Sequence, residues 1–120
     1  MFDHIGLNVS DAKKSTDFYT QALKPLGYSL VKDFETWIGF GKGDKAQLWI
    51  VLREPASGGA HVALAAPDRK SVDAFYAAAI AAGGKDNGKP GVRSDYSPTY
   101  YAAFVFDPDG NNIEAVTHAG

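Results

Sequence analysis

From residue 4 to residue 9 apolar and polar side chains alternate, with Ile5, Leu7 and Val9 on one side and His4, Gly6 and Asn8 on the other. A period of two predicts a strand with one buried face. The period then changes. Ser15, Phe18, Tyr19, Ala22, Leu23 and Leu26 recur at helical spacing, which predicts an amphipathic helix lying on a sheet. Asp11 stands where an N-cap belongs, and Gly27 where a left-handed residue ends a helix. Three strand-like runs follow, at about 28–35, about 36–41 and 46–53, the last two joined by the turn Gly41-Lys42-Gly43-Asp44.

The pattern then begins again. Shifted by 57 positions, residues 4–27 lie over residues 61–84 without a gap, and eight of the 24 positions are identical. The matches run from strand to helix end: His4/His61, Leu7/Leu64, Asp11/Asp68, Lys13/Lys70, Phe18/Phe75, Tyr19/Tyr76, Ala22/Ala79 and Gly27/Gly84. In the second copy the helix stripe reads Val72, Phe75, Tyr76, Ala79, Ile80, Gly83, and Gly84 is expected to close that helix. A closing hairpin follows, YYAAFVF, then Asp107-Pro108-Asp109-Gly110, then NIEAVTH, with Asp107 and Asp109 read as turn formers. The fold class is therefore α+β: two βαβββ modules, about 1–55 and about 60–120, joined by residues 54–59, with mostly antiparallel pairing inside each. Packing about a pseudo-twofold axis would allow His4 and His61 to meet. Residues 83–98 break the symmetry, because four glycines and two prolines predict at most a short strand there and a mobile rim over the site.

Composition narrows the function. At 120 residues the chain has the length of one domain, and a net charge of −2 without a long basic run gives no reason to expect nucleic acid or an acidic membrane. There is no cysteine, which excludes disulfides and thiolate chemistry, so a metal site must use His, Asp, Glu or water. MFDHIGLNV lacks the basic and apolar stretches of an export signal, and the longest apolar run, Phe75 to Ala82, is eight residues. A cytoplasmic location is the expectation.

The candidate chemistry follows from the strand faces. His4 shares its face with Gly6 and Asn8, and His61 with Ala63 and Ala65, so small neighbours leave room in front of each imidazole. Glu114 stands between Ile113 and Ala115, and a carboxylate inside an apolar strand needs a partner. Two imidazoles and a carboxylate suit Fe, Mn, Ni or Zn with open positions for substrate. Aligning the hairpins puts Asp44 over Asp109 and Leu48 over Ile113, so Glu114 falls on Trp49, an indole where a symmetric site would carry a carboxylate. Trp49 and Trp37 are candidate aromatic walls. Of Tyr100 and Tyr101 alternation sends only one inward; Tyr101 is placed with Glu114 as a catalytic candidate, and Tyr100 among the substrate contacts. Arg93 and Tyr96 are the side chains the 83–98 rim would deliver, the arginine to an anionic group. His118 reads as part of a frayed tail.

HIGLNVSDAKKSTDFYTQALKPLG together with FVFDPDGNNIEAV resembles the vicinal oxygen chelate superfamily, over the whole chain. That group includes glyoxalase I, extradiol dioxygenases, fosfomycin-modifying thiol transferases and bleomycin-binding proteins. The resemblance implies two modules curling into a cup around a divalent metal held by His4, His61 and Glu114. Trp49 occupies the place of a further glutamate in glyoxalase I, which argues against that enzyme's site. The potassium- and phosphonate-binding loop of the fosfomycin enzymes has no counterpart in 85–100. What is implied is a metal-dependent lyase, dioxygenase or transferase acting on a small oxygen-bearing substrate; the alternative is a metal-free binding protein for an antibiotic or metabolite. A homodimer is expected, with the site closing either within one chain or across two.

Overall fold

Both helices begin at the aspartates that the repeat aligns. The Asp11 carboxylate accepts from the Lys14 amide at 3.0 Å and the Asp68 carboxylate from the Ser71 amide at 2.7 Å, each satisfying a free donor of the first turn. The computed structural model describes all 120 residues. The first module comprises β1 (Ile5–Val9), α1 (Ala12–Leu23), β2 (Ser29–Asp33), β3 (Trp37–Lys42) and β4 (Lys45–Leu52). The second repeats it with β5 (His61–Ala65), α2 (Arg69–Ala81), β6 (Lys85–Val92), β7 (Tyr101–Phe106) and β8 (Asn112–Thr117). The expected pair of βαβββ modules is present. Each forms its own four-stranded sheet, in the orders β1-β4-β3-β2 and β5-β8-β7-β6. Within them β1 runs parallel to β4 and β5 parallel to β8, while the hairpin-linked strands are antiparallel.

One face of each sheet is covered by its helix. Leu7 and Val9 of β1, Ile38 and Phe40 of β3, and Leu48 and Ile50 of β4 are buried together with Phe18, Tyr19, Ala22 and Leu23 of α1. The helix face of the second module is Val72, Phe75 and Ala79 against Val105, Ile113 and Ala115, and the two sets form a single core. Tyr76 is only half-buried and Ile80 is exposed, so the second stripe is narrower than its sequence copy.

Two local expectations are corrected. Residues 85–92 form an eight-residue strand, β6, rather than a loop with a short strand at most. Its pairing with β7 slips twice, between Asp86 and Gly88 and between Gly88 and Gly91, so the glycines serve as bulges that keep an irregular edge in the ladder. The second helix is closed by Gly83, at φ +100°, and not by Gly84. Gly84 is needed for space: a Cβ there would come within 2.5 Å of Val105 Cγ1 and 2.7 Å of Phe18 Cε1. The aligned Gly27 does take the left-handed conformation, at φ +87°.

The modules are tied by a buried carboxylate. Asp107, in the turn between β7 and β8, accepts from the Tyr19 hydroxyl of α1 at 2.5 Å and from Asn111 Nδ2 at 2.9 Å. Its other oxygen accepts the amides of Asp109 and Asn111 at 2.9 and 2.8 Å. Asp109 reaches across as well, accepting from the amide and hydroxyl of Ser10. Burial, followed by the neighbouring Asp107 charge, holds the Tyr19 hydroxyl well above its ordinary pKa, so it stays a donor. Replacing Asp107 with alanine strands four donors in or near the core and is expected to cost about 3 kcal/mol, against about 1.5 kcal/mol for Tyr19→Phe. Urea denaturation of both variants checks this; a loss below about 0.5 kcal/mol in Asp107→Ala would show that the cross-module bond is dispensable.

Candidate functional site

Helices cover one side of each sheet and leave the other open. On the second sheet the register fixes which side chains meet there: Ala63 of β5 lies opposite Glu114 of β8, and Glu114 opposite Phe104 of β7. Directly opposed residues share a face, and alanine at 63 leaves the space beside the carboxylate free. His61, at the start of β5, directs Nε2 to within 2.9 Å of Glu114 Oε1. The Tyr100 hydroxyl, just before β7, donates to Glu114 Oε2. Both oxygens of a carboxylate only 2% exposed are therefore engaged, which answers the desolvation cost of a charge inside a strand.

Tyr100 is itself altered by this arrangement. Desolvation, then its bond to the Glu114 carboxylate and the repulsion of that charge, push its pKa up to about 12. The phenol is thus a proton donor throughout the neutral range. Tyr101 takes the other side of the strand, donating to Asp73 of α2 at 2.6 Å beneath the Arg69 guanidinium. The phenol beside Glu114 is that of Tyr100, because alternation along β7 turns Tyr101 toward the helix. Tyr96 packs edge-on against Tyr100 at 4.9 Å, and so does His118 at 5.2 Å. His118 is therefore no frayed tail: its position after β8 brings it back beside Tyr100.

The first sheet repeats the register with different chemistry. Gly6 lies opposite Trp49, and Trp49 opposite Gly39, the places taken in the second sheet by Ala63, Glu114 and Phe104. The indole lies over the bare backbone of Gly39, where a Cβ would meet Trp49 Cη2 at 3.0 Å. Trp37 packs, tilted, against Trp49 at 5.1 Å and Phe34 against Trp37 at 4.7 Å, and Phe34 and Trp37 remain about half exposed. Phe34 and Phe104 were not picked out from the sequence. The hairpin alignment that sets Glu114 on Trp49 also sets Phe104 on Gly39, and this exchange of large for small is the signal that finds Phe104.

His4 stands apart. It precedes β1, is exposed, and bonds through Nδ1 to Asp3 at 2.8 Å, with Asp3 also held by Lys45 at 2.7 Å. These contacts, Lys45 first, lower the Asp3 carboxyl to about 2. His4 lines a groove of about 260 Å³ between the modules, with Ile5, Tyr28, Val62 and Leu64, and neither His61 nor Glu114 borders it. No three His, Asp or Glu side chains of one chain come close enough to share a metal ion. His61 and Glu114 do fit one. Their 2.9 Å separation matches that of adjacent ligands at about 2.1 Å from a common ion, which is about 3 Å for a right angle. A third donor is what a single chain does not supply.

The sequence profile of the Glyoxalase/Bleomycin resistance protein/Dioxygenase superfamily matches residues 1–115. The chain belongs to this superfamily. Among solved structures it is similar to a glyoxalase/bleomycin resistance protein from Albidiferax ferrireducens, at 32% identity over 97% of both chains and a TM-score of 0.84. A putative glyoxalase from Bacillus halodurans shares the fold at 24% identity, over 97% of this chain and 94% of that one, with a TM-score of 0.73. Glyoxalase I from Zea mays matches 99% of this chain with 45% of its own length, at 22% identity and a TM-score of 0.72. A comparison with curated proteins finds no match.

The Glu114 site carries its own test. Because the folded-state pKa of Tyr100 lies above the ordinary value of 10, its bond to Glu114 contributes below pH 10 and is lost as pH rises toward 12. Alkaline titration followed by tyrosinate absorbance should show a component near pH 12 in the wild type that is missing in Tyr100→Phe. A missing component centred near pH 10 would count against the bond.

Proposed function

We propose that this member of the superfamily is a metal-dependent enzyme acting on a small substrate with two neighbouring oxygens. The observation that carries the reading is the pair His61 and Glu114, set 2.9 Å apart as adjacent ligands on an open sheet face. His4 of a second copy is the third donor. The two histidines occupy equivalent places in equivalent modules, and each sheet leaves its site face uncovered. Laying the first sheet of one copy over the second sheet of another, with the reverse contact made by the twofold axis, yields two identical sites per homodimer. The half-exposed Phe34 and Trp37 would then form an apolar wall opposite Glu114.

A divalent ion in this place supplies Lewis acidity toward a carbonyl or hydroxyl oxygen. The protein's own groups do the rest. Glu114 is held by Tyr100 and needs no rotation to present Oε1. Tyr100, neutral below about pH 12, fixes the carboxylate and keeps a proton beside the reacting oxygens. The aromatic wall excludes water, which strengthens every charge interaction inside. Lyase, dioxygenase and transferase chemistry all begin from this arrangement.

A second reading rests on the stack of Phe34, Trp37 and Trp49, in which Phe34 and Trp49 are nearly parallel at 12° and 6.3 Å apart. Such a surface suits a flat ligand held without metal, as in a sequestering protein. Elemental analysis of untagged protein, after incubation with Fe(II), Mn, Ni and Zn, separates the two. The enzyme reading expects one ion per site and at least a tenfold weaker affinity in His61→Ala and Glu114→Ala. No retained metal in the wild type leaves only the binding reading. Closure across copies is checked by mixing His4→Ala with His61→Ala protein. Mixed dimers should regain one intact site and bind metal, whereas closure within a chain leaves every site broken.

A further inference from the structure

Arg93 is a cation without an anion. No carboxylate lies within ion-pair distance of its guanidinium, since the ion pairs of the chain involve only His4, Lys13, Lys45 and His61 as bases. The side chain is nonetheless half-buried and held in one place. Nη2 donates to the carbonyl of Lys89 at 2.5 Å and to that of Ala102 at 3.3 Å, and the guanidinium carbon lies 5.3 Å from the centre of the Phe104 ring. Those contacts use the Nη2 donors and leave Nε and Nη1 without a protein acceptor.

The backbone is shaped around this placement. Gly88 lies opposite Phe104 in the β6–β7 ladder, at the bulge. A Cβ at Gly88 would approach Phe104 Cδ1 to 2.9 Å and Arg93 Nη2 to 3.2 Å, and the residue's φ of +152° also favours glycine. The missing side chain makes the bed in which the guanidinium lies over the phenyl ring. On its other side Phe104 comes within 6.3 Å of the His61 imidazole. One aromatic ring therefore separates the His61–Glu114 pair from a fixed, unneutralised arginine on the same face.

We infer that Arg93 is the anion-binding subsite of the proposed active site, and that the substrate class is a small acid. Its oxyanion lies on Arg93, a short apolar segment crosses Phe104, and its two neighbouring oxygens reach the His61–Glu114 end. A guanidinium with free, planar donors recognises a carboxylate in two-point fashion, and stacking on Phe104 holds the fork in orientation before the ligand arrives. This rests on the reading of His61 and Glu114 as the reactive end.

Two probes isolate the subsite: 2-hydroxyglutarate and 2-hydroxypentanoate share a hydroxyl–carboxylate pair and differ only in a terminal carboxylate or methyl group. Binding to the dimer is measured by calorimetry, both zinc-loaded and stripped with chelator. The expected result is a preference of about tenfold or more for 2-hydroxyglutarate in the wild type. Arg93→Met should abolish it by weakening 2-hydroxyglutarate more than 2-hydroxypentanoate, Arg93→Lys should keep part of it, and Gly88→Ala, which alters no charge, should weaken it. Equal affinity for the two acids, binding of neither, or a preference that survives Arg93→Met overturns the subsite. If zinc is retained without any preference, the subsite fails and the metal reading stands. If protein that takes up no zinc even on loading still shows the preference, the subsite stands and the metal reading fails.

Discussion

The two sheets share no strand pairing, so their relation depends on how the packed helices and the carboxylates of the β7–β8 turn, the buried Asp107 above all, hold them. Asp107 accepts the Tyr19 hydroxyl from the other module inside a core that also presses Phe18 against the bare Cα of Gly84. Contacts of this kind tolerate little displacement, because interiors are close-packed and a buried acceptor without its donor is expensive. Spending the apolar faces on this junction sets the opposite faces of both sheets free. His4 is consequently kept away from His61 and Glu114 within one chain.

Duplication produced equal frameworks with unequal contents. At the same register position one module carries Trp49 over Gly39 and the other Glu114 beside Phe104. A tryptophan needs room that a glycine partner gives, and a buried carboxylate needs donors, here His61 and Tyr100. The first sheet became an aromatic surface and the second a polar one. The proposed homodimer would bring two such surfaces face to face.

On the polar sheet the titratable groups are graded by their surroundings. Glu114 is buried but hydrogen-bonded at both oxygens, Tyr100 is kept protonated by desolvation and that same carboxylate, and Arg93 has no carboxylate within ion-pair distance. The same β6 glycines that predict at most a short strand in the sequence form a bulged strand, and Arg93 just beyond it lies over Phe104.

Much of this was legible in the residues. Period two and helical spacing mark the elements, and the 57-residue repeat marks the duplication. Asp11 and Asp68 mark the helix starts, because strand, helix and cap are local consequences of side-chain chemistry. The hairpin alignment also identified Trp49 as the counterpart of Glu114, since register follows from turn length. Other features needed the tertiary structure. Which of Tyr100 and Tyr101 meets Glu114 depends on where β7 begins, a shift of one residue that reverses every side chain. Gly84 is required by Phe18, 66 positions away in the chain, and no local signal distinguishes that need from a left-handed cap. The separation of His4 from His61 was decided in the same way, by packing between modules, which sequence symmetry does not encode.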